Sequence, residues 1–399
     1  MTTRFSIRTI LVLSLLGGLF FVPQAESCPF CSSQGQTLLG EVAEANLIVF
    51  GTLSNQKLER SELGNKGTTD INIELVVKPH EILGDKKVLT IPRYIPPSDS
   101  KARKHLIFIG VTKGKLDPYR GETVKEDSKI GEYLQGSIAL RDKDIPTRLT
   151  YFFKYLDSEE VAISNDAYME FGNVDYPEYR KLAEKLDPEV VAKWLKNPNT
   201  PITRFGLYGS ILGHCGKKET HAKIIREILD DPTKKFISGM DGILAGYLMI
   251  DPEAGWKYLM EILKNDKQGF LLRYAGLRTV RFFWDYRPDI LDKKKCVEAV
   301  ASLIEQPDIA DLAVDDLRRW GRWEVSEKVF KLFERATHDI PIVKRSLVRY
   351  ALCAPKEQKD AQEFLIRMRK IDSEWVDQVD ELLKLELEPV KKEEKKKDK

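Results

Sequence analysis

Residues 70–77, Asp70-Ile71-Asn72-Ile73-Glu74-Leu75-Val76-Val77, alternate apolar and polar side chains, which places Ile71, Ile73 and Leu75 on one face of an extended strand. Similar β-prone runs lie on either side. Leu47–Leu53 is a continuous apolar run, Lys87–Ile91 is stopped by Pro92, and His105–Val111 is a further apolar run. Gly64, Asn65, Gly67 and the pair Gly84-Asp85 read as turns between them. Gln36–Ala45, with Leu38, Leu39 and Val42 on one side, reads as a short helix before the first strand. About four or five strands in this length predict a small β-barrel over residues 28–142.

The period changes near residue 145. From Ile145 to Leu387 apolar residues recur at three- and four-residue steps, as in Leu149, Phe152, Phe153 and Leu156, or Ile224, Ile225, Ile228 and Leu229. Breakers punctuate the segment: Asp187-Pro188, Asp231-Pro232, Asp251-Pro252, Arg287-Pro288, Ile340-Pro341 and Ala354-Pro355. Proline in the first helical turn needs no donor, so an Asp-Pro pair reads as a helix start. The segment predicts about 14 helices in pairs repeating roughly every 30–40 residues, an α-solenoid spacing. The expected fold class is therefore α+β with two separable parts, a β-barrel over 28–142 and an all-α solenoid over 145–387.

The ends carry other information. Arg4 and Arg8 precede an apolar run, Ile10–Val22, of roughly 13 residues; this is too short for a bilayer span and suits a signal peptide. Small residues at Ala25 and Ser27 predict cleavage after residue 27, giving an exported, soluble chain, secreted or periplasmic, that begins at Cys28. Acylation of Cys28 is a second fate, although Ala25 and Glu26 depart from a lipoprotein signal. Residues 388–399 end in a Lys/Glu-rich tail, Lys391–Lys399, without an apolar side chain, which predicts a disordered, solvated segment.

Composition narrows the function classes. Across 399 residues, 42% are hydrophobic and 32% charged, enough apolar content for folded domains. With 64 basic and 62 acidic residues the formal net charge is +2, which carries no nucleic-acid signal. No later stretch is apolar enough to span a membrane.

The strand segment resembles the netrin-like module, the OB-fold domain shared by netrins, complement C-terminal domains and tissue inhibitors of metalloproteinases. The likeness rests on a cysteine at the mature start, a short helix, and then "EANLIVFGTL" (44–53), "INIELVVKPHEILGDKKVLTI" (71–91) and "KHLIFIG" (104–110). The family ties its N-terminal cysteine to distant cysteines of the module, whereas this chain has no cysteine between Cys31 and Cys215. The helical segment resembles HEAT repeats in "RFGLYGSILGHCG" (204–216), "LLRYAGLRTVRFF" (271–283) and "VKRSLVRYAL" (343–352).

The sharpest chemical motif is Cys28-Pro29-Phe30-Cys31. In an oxidising compartment it predicts a local disulfide, Cys28–Cys31, that fastens the mature N-terminus, with Phe30 packed against the barrel. The same spacing serves thiol–disulfide exchange, with Cys28 as nucleophile and Cys31 as its partner. That chemistry needs a strand just before the motif, and here only the leader precedes it. The netrin-like resemblance implies a third use, chelation of a protease metal through the amine and carbonyl of Cys28, although the inhibitors carry CxC. A resident zinc site is not expected, because no second ligand pair lies downstream, and no cofactor fingerprint is present. Cys215, Cys296 and Cys353 sit in apolar helical segments and read as core residues; one pair of them could bridge, and the sequence does not choose it. The seven-residue spacing of His214 and His221 is broken by a helix end after Cys215.

Arg318, Arg319, Trp320, Arg322 and Trp323 form a basic-aromatic cluster that can either bind a partner or bridge neighbouring helices through Asp315 and Asp316. No complete catalytic constellation is present. The sequence therefore predicts a non-enzymatic, exported interaction protein with an unidentified protein partner; redox and metalloproteinase-inhibitor activities are the alternatives.

Overall fold

The computed structural model describes residues 29–31, 36–61, 64–97, 103–234 and 238–387. Cys28, the leader and the tail 388–399 lie outside the described residues. The chain begins with α1 (Leu38–Glu44), whose N-cap Thr37 accepts a bond from the Gly40 N–H. Five strands follow: β1 (Leu47–Ser61), β2 (Gly64–Lys78), β3 (Val88–Ile91), β4 (Arg103–Thr112) and β5 (Lys115–Lys125). They form one antiparallel sheet in the order β3-β2-β1-β4-β5. Gly64, Asn65 and Gly67 belong to β2 rather than to a turn, and β5 is a strand that the apolar pattern did not single out.

Both faces of the sheet are buried. Ile48, Phe50, Leu106 and Phe108 point to the helices, while Leu47, Val49, Ile107 and Ile109 fill a smaller core with Ile71, Leu89 and Ile91. The sheet curls around that smaller core until its edge strands, β3 and β5, approach each other. Ile71 and Ile73 share this inner face as expected, but Leu75 does not. Phe50 pairs with Leu75 and Gly51 with Ile73, so β2 carries one extra residue there and Leu75 turns to the helical side. The bulge brings β2 onto β1 so closely that a Cβ on Gly51 would sit 1.9 Å from the Asn72 carbonyl oxygen.

The helices run from α2 (Ile130–Ala139), which lies inside the segment read as β, through α3 (Ile145–Phe153), α4 (Val161–Gly172), α5 (Tyr176–Ala183) and α6 (Pro188–Lys196). They continue as α7 (Phe205–Cys215), α8 (Lys218–Asp230), α9 (Met240–Ile250), α10 (Pro252–Lys264), α11 (Phe270–Tyr286) and α12 (Lys293–Leu303). The last are α13 (Ala310–Arg319), α14 (Ser326–Phe330), α15 (Pro341–Cys353), α16 (Lys359–Ile371) and α17 (Ser373–Leu387). The Asp-Pro pairs divide by role. Asp187 and Asp251 cap α6 and α10 with their carboxylates, whereas Asp231-Pro232 follows the end of α8.

Successive helices alternate between two layers. In one, α3, α5, α7, α9 and α11 pack in series, as do α13, α15 and α17; in the other, α6 meets α8, α10 meets α12 and α14 meets α16. The tightest crossing is α7 on α9, where Gly206, Gly209 and Gly213 face Gly239, Gly242 and Gly246. A Cβ on Gly242 would lie 2.2 Å from the Gly206 carbonyl oxygen, so these backbones touch directly. Sheet and helices share a single apolar core, which runs from Phe50 and Phe108 through Tyr133 and Phe171 to Phe364 and Val379. Among the described residues no helix is long and apolar enough to cross a membrane.

Candidate functional site

The cysteine motif is held by the helices. Phe30 is 3% exposed and its ring meets Phe282 of α11 at a centroid distance of 4.5 Å. Phe282 in turn contacts Tyr176 and Tyr286 at 5.0 and 5.8 Å, so Phe30 completes an aromatic cluster between α5 and α11. Arg278 donates to the Pro29 carbonyl at 3.3 Å and pairs with the buried Asp241 at 2.8 Å. This corrects the expected contact of Phe30 with the barrel. The sheet's helical face is already filled by α1 and α2, and the aromatic cluster is the apolar surface open to Phe30.

Cys31 is buried beside Arg204. The Arg204 guanidinium lies 4.1 Å from the Tyr168 ring centroid and donates to Asn165 Oδ1 at 2.5 Å, while its buried Nε has no hydrogen-bond partner among the described residues. Burial pushes the Arg204 pKa below its usual value; nearby Tyr208, Tyr168 and Cys31 act the other way. The predicted disulfide partner, Cys28, is outside the described residues.

A carboxylate that the sequence reading passed over joins the two halves. Asp166 of α4 is 1% exposed; it accepts the Leu38 N–H of α1 at 2.5 Å and the Tyr133 hydroxyl of α2 at 2.8 Å. Burial raises its pKa to about 6, against the lowering effect of those two bonds. Glu170, one turn on, pairs with Arg148 of α3 at 3.1 Å. The signal was present in "AISNDAYMEFG" (162–172), where Asp166 and Glu170 interrupt the buried face that carries Ile163, Ala167 and Phe171. The geometry positions elements, and among the described residues no metal ligand set accompanies it.

The basic-aromatic cluster separates into buried and presented parts. Arg318 is buried, pairing with Asp315 at 2.8 Å and Glu386 at 2.9 Å, and so ties α13 to α17. Trp323 packs edge-on to Tyr350 at 4.8 Å. Asp316 pairs with Arg281 of α11 at 2.7 Å. Trp320 and Trp284 stack at 4.1 Å with planes 10° apart. Arg322 and Lys293 lie 4.9 and 4.7 Å from the Trp284 ring centroid. Both tryptophans are half-buried, and the neighbouring Arg319 side chain is 60% exposed while pairing with Asp315. The arrangement gathers two stacked indoles and three cations, Lys293, Arg319 and Arg322, across α11–α13.

The remaining singled-out side chains sit apart. His214 contacts the Tyr176 hydroxyl at 3.1 Å, and burial pushes its pKa down to about 3. His221 meets Glu189 at 3.1 Å. Burial pushes the thiols of Cys215 and Cys296 up to about 12. Cys353 lies 3.7 Å from Arg318. Among the described residues no group of His, Cys, Asp and Glu is placed to hold a metal ion. Comparison of the chain with family models, with curated proteins and with solved structures found no match.

Proposed function

We propose that this is an exported, non-enzymatic interaction protein in which a small OB-like, netrin-like barrel is joined to a HEAT-like α-solenoid. The strand order β3-β2-β1-β4-β5, with β3 returning to β5, supports the barrel reading, because it is the cyclic order of an OB barrel. The observation that carries the function is the alternation of helices between two layers. One layer begins anew at Phe205, Met240, Phe270, Ala310, Pro341 and Ser373, roughly every 30–40 residues. Such stacking makes extended surface rather than an enclosed reaction site. The Trp284–Trp320 stack, flanked by Arg319 and Arg322, is the partner-binding patch, and a protein surface bearing carboxylates is its complement.

The test is capture from the native envelope fraction with the mature chain as bait, run beside the double variant Trp320→Ala, Arg319→Glu. A partner recovered by the parent and lost by the variant supports this reading; capture that ignores the variant removes the patch from it, and no saturable partner removes the reading itself.

A second reading, thiol–disulfide exchange through Cys28 and Cys31, is favoured by one observation: the charge of buried Arg204 beside Cys31 stabilises a thiolate there. Insulin reduction abolished by Cys28→Ser alone would establish it.

A further inference from the structure

Where the sheet edges meet, β5 and the chain leaving β3 leave a cleft of about 190 Å³. Arg93, Ile95, His105, Ile107, Gly121 and Thr123 line it. The hollow exists because β5 carries glycine opposite Ile107; a Cβ on Gly121 would meet only Ile107 Cδ1, at 3.4 Å, and the Leu106 carbonyl, at 3.9 Å. His105 is 6% exposed, and its buried Nδ1 has no hydrogen-bond partner among the described residues. A buried donor or acceptor left without a partner costs ~1–3 kcal/mol, so the imidazole that lines the cleft has an unmet bond to gain.

The charges select the ligand. No acidic side chain lines the cleft among the described residues. Arg93 stands at its rim; burial, and then Arg103 two residues before His105 on the same strand, disfavour a charge on the imidazole. Neither arginine has an ion-pair partner among the described residues, whereas the guanidinium of Arg120, which also reaches the rim, is held by Glu41 and Glu122. Ile95 and Ile107 make the wall apolar, and Thr123 adds a hydroxyl. The volume equals that of about six water molecules.

We propose that this cleft binds a carboxylate carried on a small apolar body, with the carboxylate between Arg93 and the His105 imidazole and the body against Ile95 and Ile107. Two sources share that chemistry, a free monocarboxylic acid and the C-terminal end of a peptide with an apolar last residue. Calorimetry of the full mature chain with sodium hexanoate, and with acetyl-Gly-Gly-Leu as free acid and as amide, separates them. Saturable binding of hexanoate assigns the free acid; binding of the peptide acid but neither its amide nor hexanoate assigns the chain end. In either case His105→Phe, Arg93→Gln and Gly121→Leu should each weaken binding about tenfold or more, about 1.4 kcal/mol. Gly121→Leu occupies the hollow from a position where a Cβ meets only Ile107 Cδ1, at 3.4 Å, and the Leu106 carbonyl, at 3.9 Å, so it decides the matter where His105→Phe fails to fold. Absence of saturable binding by every probe up to about 10 mM, or binding unchanged by Gly121→Leu, overturns the proposal.

Discussion

Phe30 and Phe282 meet ring to ring at 4.5 Å, joining the third residue of the expected mature chain to a helix roughly 250 residues further on. The contact makes the N-terminal segment part of the helical core rather than an appendage of the sheet.

Truncating Phe30 should therefore destabilise the whole protein. Phe30→Ala removes a 3%-exposed ring from an aromatic cluster and is expected to cost ~3 kcal/mol. Urea unfolding followed by near-ultraviolet circular dichroism measures it. A loss below about 1 kcal/mol would show that the segment does not dock as described.

Asp166 gives a pH dependence with a defined sign. Its folded pKa of about 6 lies above the ordinary 3.8, so the folded protein holds the proton more tightly than the unfolded chain. Its contribution is complete below about pH 4 and is lost as pH rises through about 6, by up to ~3 kcal/mol. Asp166→Asn keeps an acceptor for the Leu38 N–H and leaves Tyr133 a partner. The variant should gain on the parent as pH goes from 4 to 7, and melting temperatures across that range check it. Parallel curves for the two proteins would contradict the assignment.

The glycine contact between α7 and α9 should tolerate no side chain. Gly242→Ala places a methyl 2.2 Å from the Gly206 carbonyl oxygen and should cost about 2 kcal/mol or more. Gly110→Ala, whose Cβ would find its nearest neighbour at 3.7 Å, is the matched control and should stay within about 0.5 kcal/mol of the parent. Equal effects in the two variants would refute the direct backbone contact.

On the proposed export, which would place them in an oxidising space, the motif cysteines are expected to resist alkylation until reduced. A ring closed by so few residues adds little through chain entropy, ~2 kcal/mol or less. Cys28→Ser with Cys31→Ser should leave the fold intact with a slightly lower melting temperature. Mass mapping after alkylation without reductant tests the bond, and labelling of both thiols in freshly exported protein would exclude it.

The succession of a strand-bearing and a helical segment, the paired helices and the Asp-capped starts at Asp187 and Asp251 could be read from local pattern, because backbone period and capping are short-range properties; the helices begin at Ile130 rather than near residue 145. β5 escaped because its charged, half-exposed residues carry no apolar alternation. Leu75 was placed on the wrong face because a bulge arises from the pairing of two strands, not from either one alone. Of the candidate residues, the partition between Arg318, which is buried and paired, and Arg319, which is presented, depends on where α17 packs. Composition and periodicity by themselves determined that a strand-bearing segment precedes a helical one, but not β5, α2 or the full length of β2. Only the tertiary structure decided that Phe30 docks on α11, that Asp166 ties α4 to α1 and α2, and that His105 faces a cleft. Those relationships join residues tens to hundreds of positions apart, and burial and charge environment come into being only when the chain closes on itself.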